Sequence, residues 1–264
     1  MARVRPGEAA NPAPPTVQRI RVRFAKRGRL RFLSHRDVAR SVERAVRRAG
    51  IPVAHSHGFS PHPRLSWIGA APTGAASEAE YLEIGLTRPL DPGALAAALD
   101  AALPDGLDVL AAAVAEGRPL AERIDASEWR VELPGVDPAE LSRAVAALEA
   151  AEAVVVERVT PSGRRQIDVR AALVRAVVSE RVSGSSAVAP SRLPLESAVC
   201  AIMSAVVRQT TPAVRPDDVL GALDVVAGLK PPVPAKATRV AQGLLDDRGR
   251  LTDPLVPDRV TTRV

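Results

Sequence analysis

From Ile20 the chain alternates. Ile20, Val22 and Phe24 fall on one side, and Arg19, Arg21 and Arg23 on the other. A period of two with charge on one face predicts a half-buried strand whose arginine side is open. Lys26, Arg27, Gly28 and Arg29 form a polar turn, and residues 30–33 lead into a helix. Ser34 is a good N-cap there, and Asp37, three positions on, completes a start resembling a capping box. Val38, Val42, Ala45, Val46 and Ala49 then make one helical stripe, with Arg36, Arg40, Arg44 and Arg47 almost opposite. Gly50 ends the helix and Pro52 prevents its return. Residues 55–63, with one Gly and two Pro, read as a loop. Residues 64–70 and 80–86 read as strands, the second with Tyr81, Glu83 and Gly85 alternating with Leu82, Ile84 and Leu86. Asp91 and Pro92 open a helix over 93–103, and a short strand follows at 107–113. The order strand, helix, strand, strand, helix, strand predicts a ferredoxin-like lobe: an antiparallel sheet with two helices on one face.

A second, less regular round follows a linker at 116–126. Residues 129–133 predict a strand, and Asp137-Pro138 starts a helix to about Ala151. Residues 154–160 and 165–169 fit a hairpin around Pro161, Ser162 and Gly163. Residues 195–207 fit a strand or a buried helix equally, because periodicity does not separate the two. A short helix over 217–223 and a last strand over 238–244 complete the round, with 183–194 as loop. The expected fold class is therefore α+β with tandem ferredoxin-like lobes. The expected divisions are a disordered leader at 1–17, a basic lobe at 18–116, a second α+β lobe at 127–245 and a flexible tail at 246–264.

Composition changes this picture in two ways. Aromatics make up only 2% of the chain, so the core must be built from Ala, Val, Leu and Ile. Three of the 36 basic residues are Lys and the other 33 are Arg, which together with abundant Ala reads as a coding bias and weakens any argument from overall basicity. Clustering is a different matter. Between Arg19 and Arg48 stand twelve Lys or Arg against Asp37 and Glu43, a balance of +10, while the whole chain is +6. All four histidines, His35, His55, His57 and His62, lie in or just beyond this stretch. The single cysteine, Cys200, sits in an apolar context as a core residue and excludes an intrachain disulfide or a cluster held by several Cys. No apolar run approaches ~18 residues, so no spanning helix is expected, and the setting is read as cytoplasmic.

A charged strand beside a helix with an arginine stripe suggests one positive surface for a polyanion. Lys26, Arg27, Arg31 and Arg64 extend the set formed by Arg21, Arg23, Arg36, Arg40, Arg44 and Arg47. Phe24, Phe32, Phe59 and Trp67 are the aromatics nearby, too few for a broad stacking platform, so recognition by shape and phosphate is expected. The loop has its own chemistry. Gly58 permits an unusual backbone angle, Pro61 and Pro63 stiffen the exit, and Ser56, Ser60 and free N–H groups are placed to cradle an anion under Arg64. Ser34, His35, Asp37, Gly58, Phe59, Ser60 and His62 form the expected pocket. His35 and His57 are the candidates for acid–base work, since histidine titrates near neutrality. His55-x-His57 with His62 lacks a nearby Cys, Asp or Glu as fourth ligand, so no metal and no cofactor are expected.

These residues resemble a known family. Arg21 to Phe24, Leu33 to Asp37, Arg44 to Ala49 and Gly58 to Pro63 resemble the R-x-R-F, L-S-H-x-D, R-A-x-R-R-A and G-F-x-P-x-P elements of the radical SAM-linked proteins, DUF2344. Pro72-Thr73-Gly74 with Ser77, Glu80 and Tyr81 resembles its next element, and Ile167-Asp168-Val169-Arg170 its D-x-R. The resemblance covers about residues 19–245 and is strongest in the first lobe. It implies a radical SAM protein as partner, since members are encoded beside or fused to one, some near ribonuclease E/G genes. This chain has no C-x-x-x-C-x-x-C, so it is not itself the radical enzyme. The expectation is an RNA-binding accessory protein that presents an RNA to that enzyme, away from membranes. The alternatives are a metal-independent endoribonuclease using His35 or His57, and a protein–protein adaptor.

Overall fold

The computed structural model describes residues 14–57, 59–160, 163–180 and 199–256. Gly58, the Pro161-Ser162 turn, the loop at 183–194, most of the leader and the last eight residues of the tail lie outside the described residues. The architecture is mixed α+β, with mostly antiparallel strand pairing, and divides into two units.

Among the described residues, the first unit takes in 14–57, 59–73 and 80–121. Its described elements are β1 (Gln18–Lys26), α1 (His35–Arg48), β2 (Leu65–Ile68), most of β3 (Ala76–Leu86), α2 (Pro92–Ala102) and β4 (Val109–Val114). The strands lie in the order β4, β1, β3, β2. Ile20 pairs with Val114 and Val22 with Ala112, and Leu65 pairs with Ile84 in the antiparallel β2–β3 ladder. Ile20, Val22 and Phe24 of β1, with Leu82, Ile84 and Leu86 of β3, form the sheet side of the core. Val38, Val42, Ala45 and Val46 of α1, with Leu95, Leu99 and Ala102 of α2, form its helix side. Each helix begins as its sequence dictates. Asp37 N–H donates to Ser34 Oγ, and Ala94 N–H to Asp91 Oδ1, ahead of Pro92 at the first helical position.

The second unit comprises 74–79 and 122–256 among the described residues. It contains β5 (Ala126–Pro134), α3 (Pro138–Ala150), the hairpin β6 (Val155–Thr160) and β7 (Gly163–Asp168), a single turn α4 (Val169–Ala172), β8 (Leu173–Glu180), β9 (Cys200–Arg208), α5 (Pro216–Ala227), β10 (Lys236–Leu245) and β11 (Leu251–Thr252). The strands run β10, β5, β9, β8, and the first residues of β3 pair in parallel with β10 through Ala76 and Ser77. Within the ambiguous stretch 195–207, residues 200–207 belong to strand β9, buried on both faces, which explains why the pattern carried no period. Strand β8 has no counterpart in the sequence reading. A register shift between Leu173 and Arg175 breaks its alternation where it leaves α4.

Five expectations need correction. Arg21 does not stand on an open face; it is 4% exposed. Its Nε reaches Glu83 Oε2 at 3.3 Å, and its terminal nitrogens donate to the carbonyls of Glu116 and Arg118 at 3.1 and 2.6 Å. The chain after β4 returns over that side of the sheet and needs a buried cation to satisfy its carbonyls. Lys26 is also buried, donating to the carbonyls of Ala71 and Pro72. The linker at 116–126 contains a 3-10 turn, Leu120–Arg123, whose Arg123 is buried and donates to the carbonyls of Pro254 and Val256. Those contacts, and β11, mean that 246–256 is a folded strand and turn rather than a loose tail. Gly243 permits this: a Cβ there would collide with the Thr252 carbonyl oxygen. At the other end, Val17 N–H donates to Leu86 O, so the last residue of the expected leader is already paired before β1 begins.

No helix among the described residues is long and apolar enough to cross a membrane.

Because Arg21 is an internal cation, Arg21→Met strands two carbonyls and removes one of the two arginines paired with Glu83, itself 9% exposed, leaving Arg19 on its other oxygen at 3.2 Å. Loss of about 3 kcal/mol in urea unfolding is expected. A loss below about 0.5 kcal/mol, the level of an exposed pair, would contradict the assignment.

Candidate nucleic-acid interface

The buried stripe of α1 fixes what its other side presents. With Val38, Val42, Ala45 and Val46 in the core, Arg36, Arg40, Arg44 and Arg47 are all exposed. None of the four is joined to a carboxylate by an ion pair among the described residues; Arg44 donates to the Ser41 hydroxyl at 3.2 Å. Arg47 and Arg48 sit in the last turn, where the helix dipole favours cations. Arg36 is at the opposite end, where the dipole opposes it by about 0.3–1 kcal/mol, so helix stability does not account for its placement. Arg48 Nη1 donates to Ala102 O at the end of α2, and beside this bond lies a notch of about 160 Å³ lined by Ser41, Arg44, Arg48, Ala102, Leu103 and Pro104. Arg48 was absent from the sequence-derived set, although its position four residues after Arg44 carried the signal.

The remaining predicted cations separate. Arg27 pairs with Asp108 at 2.8 Å, Arg31 lies over the Phe32 ring with its carbon 4.6 Å from the centroid, and Arg23 is half-buried. Arg64 is exposed, with its Nε donating to His55 O. Arg21 and Lys26 belong to the interior, as above.

At the start of α1, Ser34 and Asp37 bond reciprocally. Ser34 Oγ donates to Asp37 Oδ2 at 2.6 Å while Asp37 N–H donates back to Ser34 Oγ at 3.3 Å. The Ser34 hydroxyl, then its backbone N–H and the charge of Arg40, hold the Asp37 carboxyl below its usual range. His35 is exposed and meets Trp67 of β2 edge-on, ring centroids 5.3 Å apart. The two line a crevice of about 10 Å³ with Lys26, Val38, Ala70, Ala71 and Glu80. That is room for one small group such as a water. Glu80 Oε2 accepts from Ala71 N–H at 3.2 Å, so Glu80 and Lys26 both hold the 71–72 backbone.

The loop after α1 is a hydrogen-bonded hairpin. Arg64 N–H donates to Ala54 O, Ser56 N–H to His62 O, and His62 N–H to the Ser56 hydroxyl, with a bridge between His55 and Pro63. The expected anion cradle therefore has several of its donors turned inward. Phe59 stands at the tip, 95% exposed, with His57, Ser60 and His62 also exposed. Of the expected pocket, the structure sets Ser34 and Asp37 at the cap beside His35. None of the described loop residues, His57 included, lines the crevice. No group of three His, Cys, Asp or Glu residues placed to hold a metal ion occurs among the described residues.

Other motif residues also serve the backbone. Ser77 Oγ accepts from Ala79 N–H and from Arg239 Nε; Asp168 caps α4 through Ala171 N–H, and Arg170 Nε donates to Glu149 O.

Comparison with known families finds that the one described as "Uncharacterized protein conserved in bacteria (DUF2344)" matches residues 19–216. Among curated proteins, none matches. Among solved structures, an unknown protein from Galdieria sulphuraria is 15% identical over 84% of this chain and 98% of that one, with a TM-score of 0.23.

The Ser34–Asp37 pair gives a pH-dependent prediction. A carboxyl lowered in the folded state stabilises it above the ordinary carboxylate value of about 3.9, and that contribution is lost as pH falls through the folded value. Ser34→Ala should raise the Asp37 midpoint in an NMR titration and lower the melting temperature at neutral pH. The deficit should narrow below about pH 4; an unchanged Asp37 midpoint would show that the hydroxyl is not its main partner.

Proposed function

The chain belongs to the DUF2344 family, and on that premise we propose that it is an RNA-binding accessory protein that presents an RNA to a separate radical SAM enzyme. The observation that carries the RNA reading is the exposed stripe Arg36, Arg40, Arg44 and Arg47 on a helix whose opposite side is core. Four guanidinium groups held on one rigid element, none ion-paired to a carboxylate among the described residues, suit phosphate oxygens better than a solvated surface requires. The radical SAM partner and the cytoplasmic setting come from the family resemblance and the sequence, and belong to the same proposal. We read each unit as a ferredoxin-like lobe. What supports this is the shared strand order, fourth-first-third-second in each unit, with the β6–β7 hairpin as an insertion in the second.

A second reading, a metal-independent endoribonuclease, is favoured by one observation: exposed His35 at the rim of the crevice that Lys26 and Glu80 line. It predicts that purified protein cleaves labelled cellular RNA and that His35→Ala abolishes cleavage. Intact RNA after incubation with the native chain removes it.

The binding test is salt titration. Fluorescence anisotropy with labelled RNA should give an affinity that falls steeply with salt. The variant Arg36→Gln, Arg40→Gln, Arg44→Gln and Arg47→Gln should flatten the logarithmic slope by about 3, at roughly 0.7–0.9 per lost phosphate contact. Salt-independent binding, or a slope that the four changes leave alone, would overturn the reading.

A further inference from the structure

Six aromatic residues occur in the chain, and their distribution is uneven. Phe24, Tyr81 and Trp129 are buried, and Trp67 is partly buried against the core. Phe32 and Phe59 are 58% and 95% exposed. Phe32 lies within the basic stretch Arg19–Arg48 and Phe59 in the histidine-bearing loop that follows it, and the backbone leads from each to the contact between His35 and Trp67. Phe32 ends the 3-10 turn Gly28–Phe32, three residues before His35, so it lies within about 11 Å of His35 along the chain. The hairpin carrying Phe59 leaves through Arg64 directly into β2, whose Trp67, about 10 Å further along the strand, meets the His35 ring.

The surroundings of the two rings select what they face. Around Phe59 the described loop residues are His55, Ser56, His57, Ser60, Pro61, His62 and Pro63, with no second large apolar side chain. A hydrophobic docking site on a protein partner needs a contiguous apolar patch with a packed centre; one ring on a polar tip is not that. Phe32 carries the Arg31 guanidinium over its ring, a flat cation on a flat face, the pairing that extends a stack of bases. A duplex keeps its bases paired and stacked on one another, and offers an exposed ring little to hold.

Resting on the RNA-binding reading above, we infer that the ligand is single-stranded RNA, with unpaired bases stacking on Phe32 and Phe59 while Arg36, Arg40 and Arg64 take the phosphates. Stacking accepts any base, since every base has a π-face, so the preference is for strand state more than for sequence. The hydrogen bonds that close the loop upon itself then act in binding: they join 54–56 to 62–64 beneath Phe59, so that less ordering is lost when a base arrives.

The test uses the full chain, with a labelled 12-nucleotide mixed-sequence RNA as a single strand and as a blunt duplex. Phe32→Ala and Phe59→Ala should each weaken single-strand binding by about 5- to 100-fold and leave duplex binding within about twofold. Phe59→Trp should restore affinity and Phe59→Leu should not, which separates stacking from simple apolar contact. Unchanged melting temperatures would show that each variant is folded. Photocrosslinking with 5-iodouridine in the single strand should tag a peptide containing Phe59 or Phe32. Equal losses on both strand states, full affinity in Phe59→Leu, or crosslinks confined to other peptides would each overturn the inference. If the arginine variant loses binding while the phenylalanine variants keep it, only this inference fails. A native chain that binds neither RNA overturns the binding reading as well. Phenylalanine variants that keep RNA affinity but release a co-purifying protein would assign the two rings to that protein instead.

Discussion

The burial of one stripe of α1 against β1 and β3 decides what the first unit shows to solvent. Val38, Val42 and Val46 are each at most 4% exposed, packed with Ile20, Val22, Phe24, Leu82 and Ile84. Each such side chain contributes roughly 1.5–3 kcal/mol when fully buried. The opposing terms on the same helix are smaller: crowding of like charges four residues apart costs a few tenths of a kcal/mol, and Arg36 at the positive end of the dipole about 0.3–1. Packing therefore fixes the rotation of the helix. The arginines take up the outer face whether or not their mutual repulsion favours it.

That outcome was legible in the sequence because a helix has one apolar stripe and hence one open side. The strand beside it was harder. The alternation of Ile20, Val22 and Phe24 with Arg19, Arg21 and Arg23 located β1 and its core face correctly, yet a strand has two faces and period alone does not say whether the second stays open. Here the carbonyls of Glu116 and Arg118, some 95 residues away in the chain, close over Arg21. No local pattern carries that information. Lys26 and Glu80 are similar, since their shared task of holding the 71–72 backbone is visible only once the strands are paired.

The second unit separates local from non-local signals in the same way. The capped helix α3, announced by Asp137 and Pro138, and the β6–β7 hairpin follow from short-range rules, and both were found near their observed limits. Strand β9 is buried on both faces and so has no amphipathic period, while β8 is irregular where it emerges from a helical turn. The candidate site divides likewise. The arginine stripe and the Ser34 cap were readable from spacing. The exposure of Phe59 and the inward turn of the loop's hydrogen-bond donors depend on how the hairpin closes on itself.

Strand β3 has an architectural consequence. Residues 76–79 belong to the second unit, where Gln242 donates to Ala79 O and Arg239 to the Ser77 hydroxyl, whereas 80–86 belong to the first. One uninterrupted stretch of backbone is thus common property. Gene shuffling could not excise either half at the obvious seam near residue 121 without depriving the 122–256 segment of a strand encoded upstream.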